Sequence, residues 1–78
     1  MTCRDEILTA ISQVINEKGK NEFSMPEIVI EVKKNGTQYQ ESTIRTHISS
    51  RMCTNSPNNH GTTYNDIERI RKGIYRLL

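Results

Sequence analysis

Residues 39–53 combine short hydroxyl side chains with arginines at helical spacing. On an α-helix, which turns about 100° per residue, three apolar side chains of this segment fall within an arc of about 80°: Ile44, Ile48 and Met52. The opposite side carries the hydroxyl face, which consists of Ser42, Thr43, Thr46, Ser49 and Ser50. Arg45 and Arg51 flank the apolar stripe.

This combination favours contact with a phosphate-lined groove. A surface helix is usually covered by Glu, Lys and Gln, whereas Ser and Thr lower helix propensity because their hydroxyls compete for backbone partners. Short hydroxyls between arginines allow a helix to approach a DNA groove closely. The alternative is a solvated Ser/Thr-rich surface with no ligand.

The expected DNA contacts divide into two groups. The residues predicted to face the groove are Thr43, Arg45, Thr46 and Ser50. Those predicted to contact phosphates are Ser42, Ser49, Arg51, Arg71 and Lys72. Arg45 is the best candidate for a bidentate contact with guanine.

Other chemistries find little support in the residue pattern. Glu31-Val32-Lys33 matches a nuclease-like ExK, but it lies inside a predicted helix without a nearby partner carboxylate. Cys53, His47 and His60 lack metal-ligand spacing and a fourth ligand. No glycine-rich phosphate loop is present. We therefore predict a binding module with no catalytic residues, no metal and no cofactor.

Length and charge limit the possible partners. The 78 residues suffice for one small domain, and no apolar run is long enough for a membrane span. Residues 1–39 carry a net charge of −1 and residues 40–78 a net charge of +3, which favours an anionic partner at the second half. The acidic N-terminal segment and the two isolated cysteines, Cys3 and Cys53, are typical of a cytoplasmic protein with free thiols.

The spacing of apolar residues predicts the secondary structure. Thr2 and Ser24-Met25-Pro26-Glu27 are helix-start signals, and glycine follows basic residues at two helix ends. Phe23 either packs against the second helix or belongs to a short strand near 21–23. The predicted elements are helices 3–18, 25–34 and 41–52 and a β-hairpin over 66–78. Arg71-Lys72-Gly73 forms the basic hairpin turn, which we call the wing tip.

Two connections complete the pattern. Tyr39, in the turn between the second and third helices, is expected to pack its ring between them. Residues 54–63 are rich in Asn, Pro and Gly and are predicted to form a loop. The resulting fold class is α+β: a small winged helix-turn-helix with three helices and a C-terminal two-stranded hairpin, spanning residues 1–78 as one domain.

Three segments together resemble a winged helix-turn-helix found in prokaryotic restriction-endonuclease-associated proteins: STIRTHISSRMC, NSPNNH and DIERIRKGIYRL. The resemblance covers residues 24–78. It implies double-stranded DNA binding, with helix 41–52 in the major groove and the hairpin as the wing. In those proteins the domain often stands beside a nuclease domain. That activity does not carry over, because this chain has no histidine–asparagine–histidine arrangement.

The expected function is therefore the DNA-recognition part of a restriction-type or regulatory protein, with no membrane and no small-molecule ligand. A chain that stops directly after the last predicted strand also suggests one domain of a longer protein, with a fused or associated nuclease domain. The alternative is a winged helix used for protein–protein contact within a larger assembly, which the small net charge of +2 leaves open.

Overall fold

The computed structural model describes residues 2–54 and 64–78. Its helices are α1 (Cys3–Lys18), α2 (Met25–Lys34) and α3 (Glu41–Thr46), and α3 continues directly into a π-helical turn, η1 (His47–Arg51). Its strands are β1 (Phe23–Ser24), β2 (Ile67–Arg71) and β3 (Ile74–Leu77). The α+β layout of helices followed by a hairpin is confirmed, and the short strand expected near 21–23 is present as β1. No helix in these two ranges has the length and apolar character needed to cross a membrane.

Reciprocal capping defines where α1 and α2 begin. Thr2 and Asp5 form a capping box at the start of α1, and Ser24 and Glu27 form one at the start of α2. In each box the side chains satisfy backbone N–H groups that have no partner within the helix. Gly19 ends α1 in the left-handed conformation, at φ 73°.

The three strands form an antiparallel sheet in the order β1-β3-β2, with β3 in the centre. Ser24 pairs with Ile74, and Gly73 takes a φ of 78° in the hairpin turn. A bulge between Arg69 and Arg71 shifts the register of β2. Ile70, which the sequence groups with the apolar residues of the hairpin, lies in this bulge and is 42% exposed.

A single core lies between the helices and the inner face of the sheet. The Phe23 and Tyr75 rings stack with centroids 6.1 Å apart, which joins the two paired strands β1 and β3. The largest fully buried side chains are Phe23, Ile7, Ile11, Ile28, Ile44, Ile48, Met52, Ile67 and Val32. All three stripe residues of the third helix are thus anchored in the core.

The prediction of one α-helix over 41–52 is wrong beyond Thr46. Residues 47–51 are π-helical, and the Met52 N–H donates to the His47 carbonyl oxygen at 2.9 Å. On a regular α-helix, residues spaced by four drift steadily around the axis. The wider π turn rotates less per residue, so it brings Met52 back towards the line of Ile44 and Ile48.

The end of η1 is tied to the start of the hairpin. The Met52 carbonyl oxygen accepts from the N–H groups of Asp66 and Ile67, both at 3.1 Å. Arg4, on α1, donates to the Asp66 carboxylate through two nitrogens, each at 2.8 Å, and its guanidinium lies 4.3 Å from the Tyr64 ring centroid. These contacts hold the hairpin against the helices. Of the loop predicted over 54–63, residues 55–63 lie outside the described part of the chain.

Tyr39 lies in the turn between α2 and α3 and is 37% exposed. It lines a groove of about 660 Å³ together with Gln13 of α1 and Gly36 of the turn. Gly36, at φ 86°, turns the chain immediately after α2. The six-residue connection is long enough for Tyr39 to reach the α1 side.

Candidate nucleic-acid interface

The exposed side of α3 and η1 contains a shallow, open depression of about 270 Å³. It is lined by Ser42, Thr43, Thr46, His47 and Arg51. Four of these five residues were predicted as DNA contacts from the sequence. The depression is therefore the part of the predicted site that the fold brings together most closely.

The π turn explains why Arg51 belongs to this group. On a regular α-helix Arg51 would lie about 180° from Ser42, at the edge of the apolar stripe. Because the π turn rotates less per residue, it moves Arg51 back towards His47 and the hydroxyl face. The exposed Arg51 guanidinium then stands beside short hydroxyl side chains, where an anion or a base edge can approach it.

The hydroxyl face is only partly involved in bonds to its own helix. The Thr46 hydroxyl donates to the Ser42 carbonyl oxygen and the Ser49 hydroxyl to the Arg45 carbonyl oxygen, both at 2.9 Å. Their oxygens keep acceptor capacity, but their protons are directed at the helix backbone. Thr46 is exposed, whereas Thr43, Ser49 and Ser50 are half-buried, and Ser49 and Ser50 lie outside the depression.

Arg45 lies on the other flank of the helix and is held by an ion pair. Its Nε donates to Glu41 at 3.3 Å, while Lys33 of α2 donates to the same carboxylate at 3.0 Å. The Lys33 hydrogen bond is the largest cause that lowers the pKa of Glu41, with a smaller effect of Arg45. The Arg45 Nη1 atom also lies 3.8 Å from the Met25 sulfur. Arg45, which was predicted to contact guanine, is therefore an exposed side chain that has a partner within the protein.

The wing tip and Arg45 both lie near the start of α2. Met25, which Arg45 contacts, directly follows Ser24, and Ser24 pairs with Ile74 next to the hairpin turn. Because neighbouring strands are about 4.8 Å apart, the hairpin turn lies close to the start of α2, where Arg45 contacts Met25. Arg71 and Lys72 are both exposed. Arg71 donates to Glu22 at 3.0 Å across the sheet.

His47 is the lining residue that the DNA-contact prediction missed. The sequence pattern offers His47 only as a zinc ligand, without the spacing that a zinc site needs. Its position between Thr43 and Arg51 on the helix could have indicated a role, but an α-helical wheel places it near the edge of the hydroxyl face. Within residues 2–54 and 64–78 no group of three or more His, Cys, Asp or Glu side chains could hold a metal ion.

The family described as "Domain of unknown function (DUF7669)" matches residues 3–77, so the chain belongs to that family. No curated protein and no solved structure gave a significant match.

Proposed function

We propose that this chain, as a member of a domain family of unknown function, binds double-stranded DNA. The α3–η1 helix would enter the major groove, and the wing tip would contact the backbone. The observation that carries the proposal is the open depression in which Arg51 stands among short hydroxyls on a helix whose opposite side is fully buried. Such a helix presents a thin, polar and partly cationic surface.

The dimensions are compatible with this placement. The helix from Glu41 to Arg51 has eleven residues and is about 16 Å long at roughly 1.5 Å per residue. The major groove of B-DNA is about 12 Å wide and admits one α-helix. Side chains as short as Ser42 and Thr46 allow the backbone of the helix to approach the base edges.

Ion pairs within the protein reduce the attraction between these arginines and the DNA phosphates without abolishing it. Arg45 pairs with Glu41 and Arg71 pairs with Glu22, and their side chains are 48% and 60% exposed. Exposed pairs contribute little to stability, so phosphates can compete for these guanidinium groups. Arg51 and Lys72 add two further exposed cations.

The proposal describes a binding module rather than an enzyme. In the described ranges no convergent carboxylates or metal-ligand cluster accompany the depression. Any nuclease activity of a restriction-type protein, or the effector part of a regulatory one, would then reside in another domain. A cytoplasmic location is proposed with it, on the ground that Cys3 and Cys53 are buried thiols.

The test is a fluorescence-anisotropy titration of mixed-sequence duplexes at several salt concentrations. Three phosphate contacts, by Arg51, Arg71 and Lys72, would give a slope of log K against log salt of about −3. Lys72→Ala should weaken binding to all duplexes and reduce that slope by about 1. Lys20→Ala is the matched control, because it removes the same charge at the opposite end of the sheet, next to the contact between Asn21 and Leu77.

Sequence-specific recognition requires a second comparison. Arg45→Ala should cost about 1 to 3 kcal/mol on the preferred duplex and much less on an unrelated one. Arg76→Ala, which removes a guanidinium paired with Glu68, serves as the control. Absence of duplex binding at low salt would reject the proposed function.

A protein–protein role is the second candidate, and exposed apolar side chains favour it. Ile30 on α2 is 65% exposed and Leu78 is 58% exposed. If these residues contact another chain, the affinity for a partner protein should fall with Ile30→Asp and depend weakly on salt. The same salt series therefore separates the two candidates.

A further inference from the structure

The imidazole ring of His47 is fixed by its own helix. Its Nδ1 atom lies 3.0 Å from the Thr43 carbonyl oxygen. A carbonyl oxygen can only accept, so this contact is a hydrogen bond only when Nδ1 carries the proton. In the neutral ring Nε2 is then unprotonated and acts as a hydrogen-bond acceptor.

The second nitrogen belongs to a ring that lines the depression. His47 is half-buried between Thr43 and Arg51. Since Nδ1 is turned to the helix backbone, Nε2 is the ring nitrogen left to bond a ligand. The depression therefore combines one acceptor from His47 with several donors from Arg51.

We propose that His47 recognises the exocyclic amino group of an adenine or cytosine in the major groove, beside a guanine contact made by Arg51. This inference rests on the proposed DNA-binding function and names the base chemistry that the depression selects. Adenine N6 and cytosine N4 are the hydrogen-bond donors of the major groove, and guanine O6 and N7 are acceptors. An acceptor nitrogen and a guanidinium, side by side, match that pair of edges.

The acceptor also argues against a phosphate contact by this ring. Phosphate oxygens only accept, so a neutral ring with its proton on Nδ1 cannot bond them through Nε2. Arg51, which the sequence assigned to the backbone, then acts on a base edge instead. The cationic contacts to phosphates then come from Arg71 and Lys72 of the wing tip.

The test is a duplex selection at pH 8 with the full 78-residue chain, followed by anisotropy titrations. The parent is compared with His47→Phe, which keeps an aromatic ring without an acceptor nitrogen, and with Tyr39→Phe as a control ring outside the depression. We expect the parent and the control to select adenine or cytosine at one position, and His47→Phe to lose that preference.

A chemical deletion on the DNA checks the same contact without altering the protein. In the selected duplex, replacing the adenine by purine, or the cytosine by pyrimidin-2-one, removes only the amino group. The parent should lose about 3- to 10-fold in affinity, as for one neutral hydrogen bond. His47→Phe should lose nothing further.

The outcomes separate the two levels of the proposal. An unchanged preference in His47→Phe, or no loss on amino deletion, overturns the role of His47 and leaves DNA binding intact. Failure of the parent to bind any duplex overturns both. Circular dichroism of each variant shows whether it folds, and the amino deletion decides the question if His47→Phe does not.

Discussion

Replacing Glu41 by Gln should strengthen DNA binding. The Glu41 carboxylate pairs with Arg45 of the proposed interface at 3.3 Å and with Lys33 of α2 at 3.0 Å, and it is itself a negative charge at the start of α3. Glutamine keeps the shape of the side chain and releases both cations to interact with the DNA. An increase in DNA affinity is an unusual outcome, because most substitutions in an interface weaken binding.

The size follows from the exposure of these groups. Each exposed ion pair corresponds to a factor of about 1.4 to 5 in an equilibrium constant. Release of the two cations and loss of the repulsion should together raise affinity about 2- to 10-fold at 50 mM salt. The gain should shrink towards 500 mM salt, since the Debye length falls well below about 10 Å.

The assay is an anisotropy titration of one labelled duplex across that salt range. Glu17→Gln is the matched control, because it removes the same charge from an exposed position near the C-terminal end of α1. Thermal unfolding of both variants checks that the folded fraction is unchanged. An affinity of Glu41→Gln equal to or below that of the control would refute the placement of Arg45 at the DNA.

Three further outcomes concern the fold itself. Ile48→Ala should destabilise the protein by about 2 to 5 kcal/mol in urea denaturation, because Ile48 is fully buried, while Ile30→Ala, at 65% exposure, should change stability by about 0.5 kcal/mol or less. Burial acts to raise the pKa of Glu27, but its capping hydrogen bonds and ion pair lower that pKa below the ordinary 4.5. The carboxylate therefore stabilises the fold above that value, and this contribution is lost as the pH falls through the folded pKa. The free energy of unfolding of Glu27→Gln should therefore decrease less than that of the parent between about pH 5 and 3. Cys3, whose pKa is raised by burial and then by Glu6, and Cys53, which is 2% exposed, should react with a thiol reagent only on unfolding; rapid labelling of the native protein would contradict their placement in the core.

Local signals explain why the helix starts were predictable. Thr2 with Asp5, and Ser24 with Glu27, form capping boxes in the structure as their spacing indicates. Such caps depend on residues three positions apart, so they can be recognised without knowledge of the tertiary fold. The apolar stripe of the third helix was predictable in the same way, because it consists of residues spaced by four in the sequence.

The π turn could not be predicted in the same way. It depends on the packing of Met52 in the core and on the hydrogen bonds that its carbonyl oxygen accepts from the N–H groups of Asp66 and Ile67. Both of these residues lie beyond the predicted loop. The sequence therefore placed Arg51 at the edge of the stripe and omitted His47. The ion pair between Arg71 and Glu22 was missed for a related reason, since Glu22 lies far away in the sequence. The pair between Arg45 and Glu41 is different, because it joins residues four positions apart on one helix and could have been recognised from the sequence.

The central position of β3 has a consequence for synthesis of the chain. β1 is the first strand to leave the ribosome and β3 is the last. Because Phe23 pairs with Tyr75, the backbone groups of β1 gain their strand partners only after β3 has emerged. Until β3 emerges, the backbone of β1 is unpaired and the apolar residues that the sheet covers remain exposed. We therefore expect slow, late closure of this small domain, and a nascent chain arrested before Ile74 should bind chaperones that recognise exposed apolar segments.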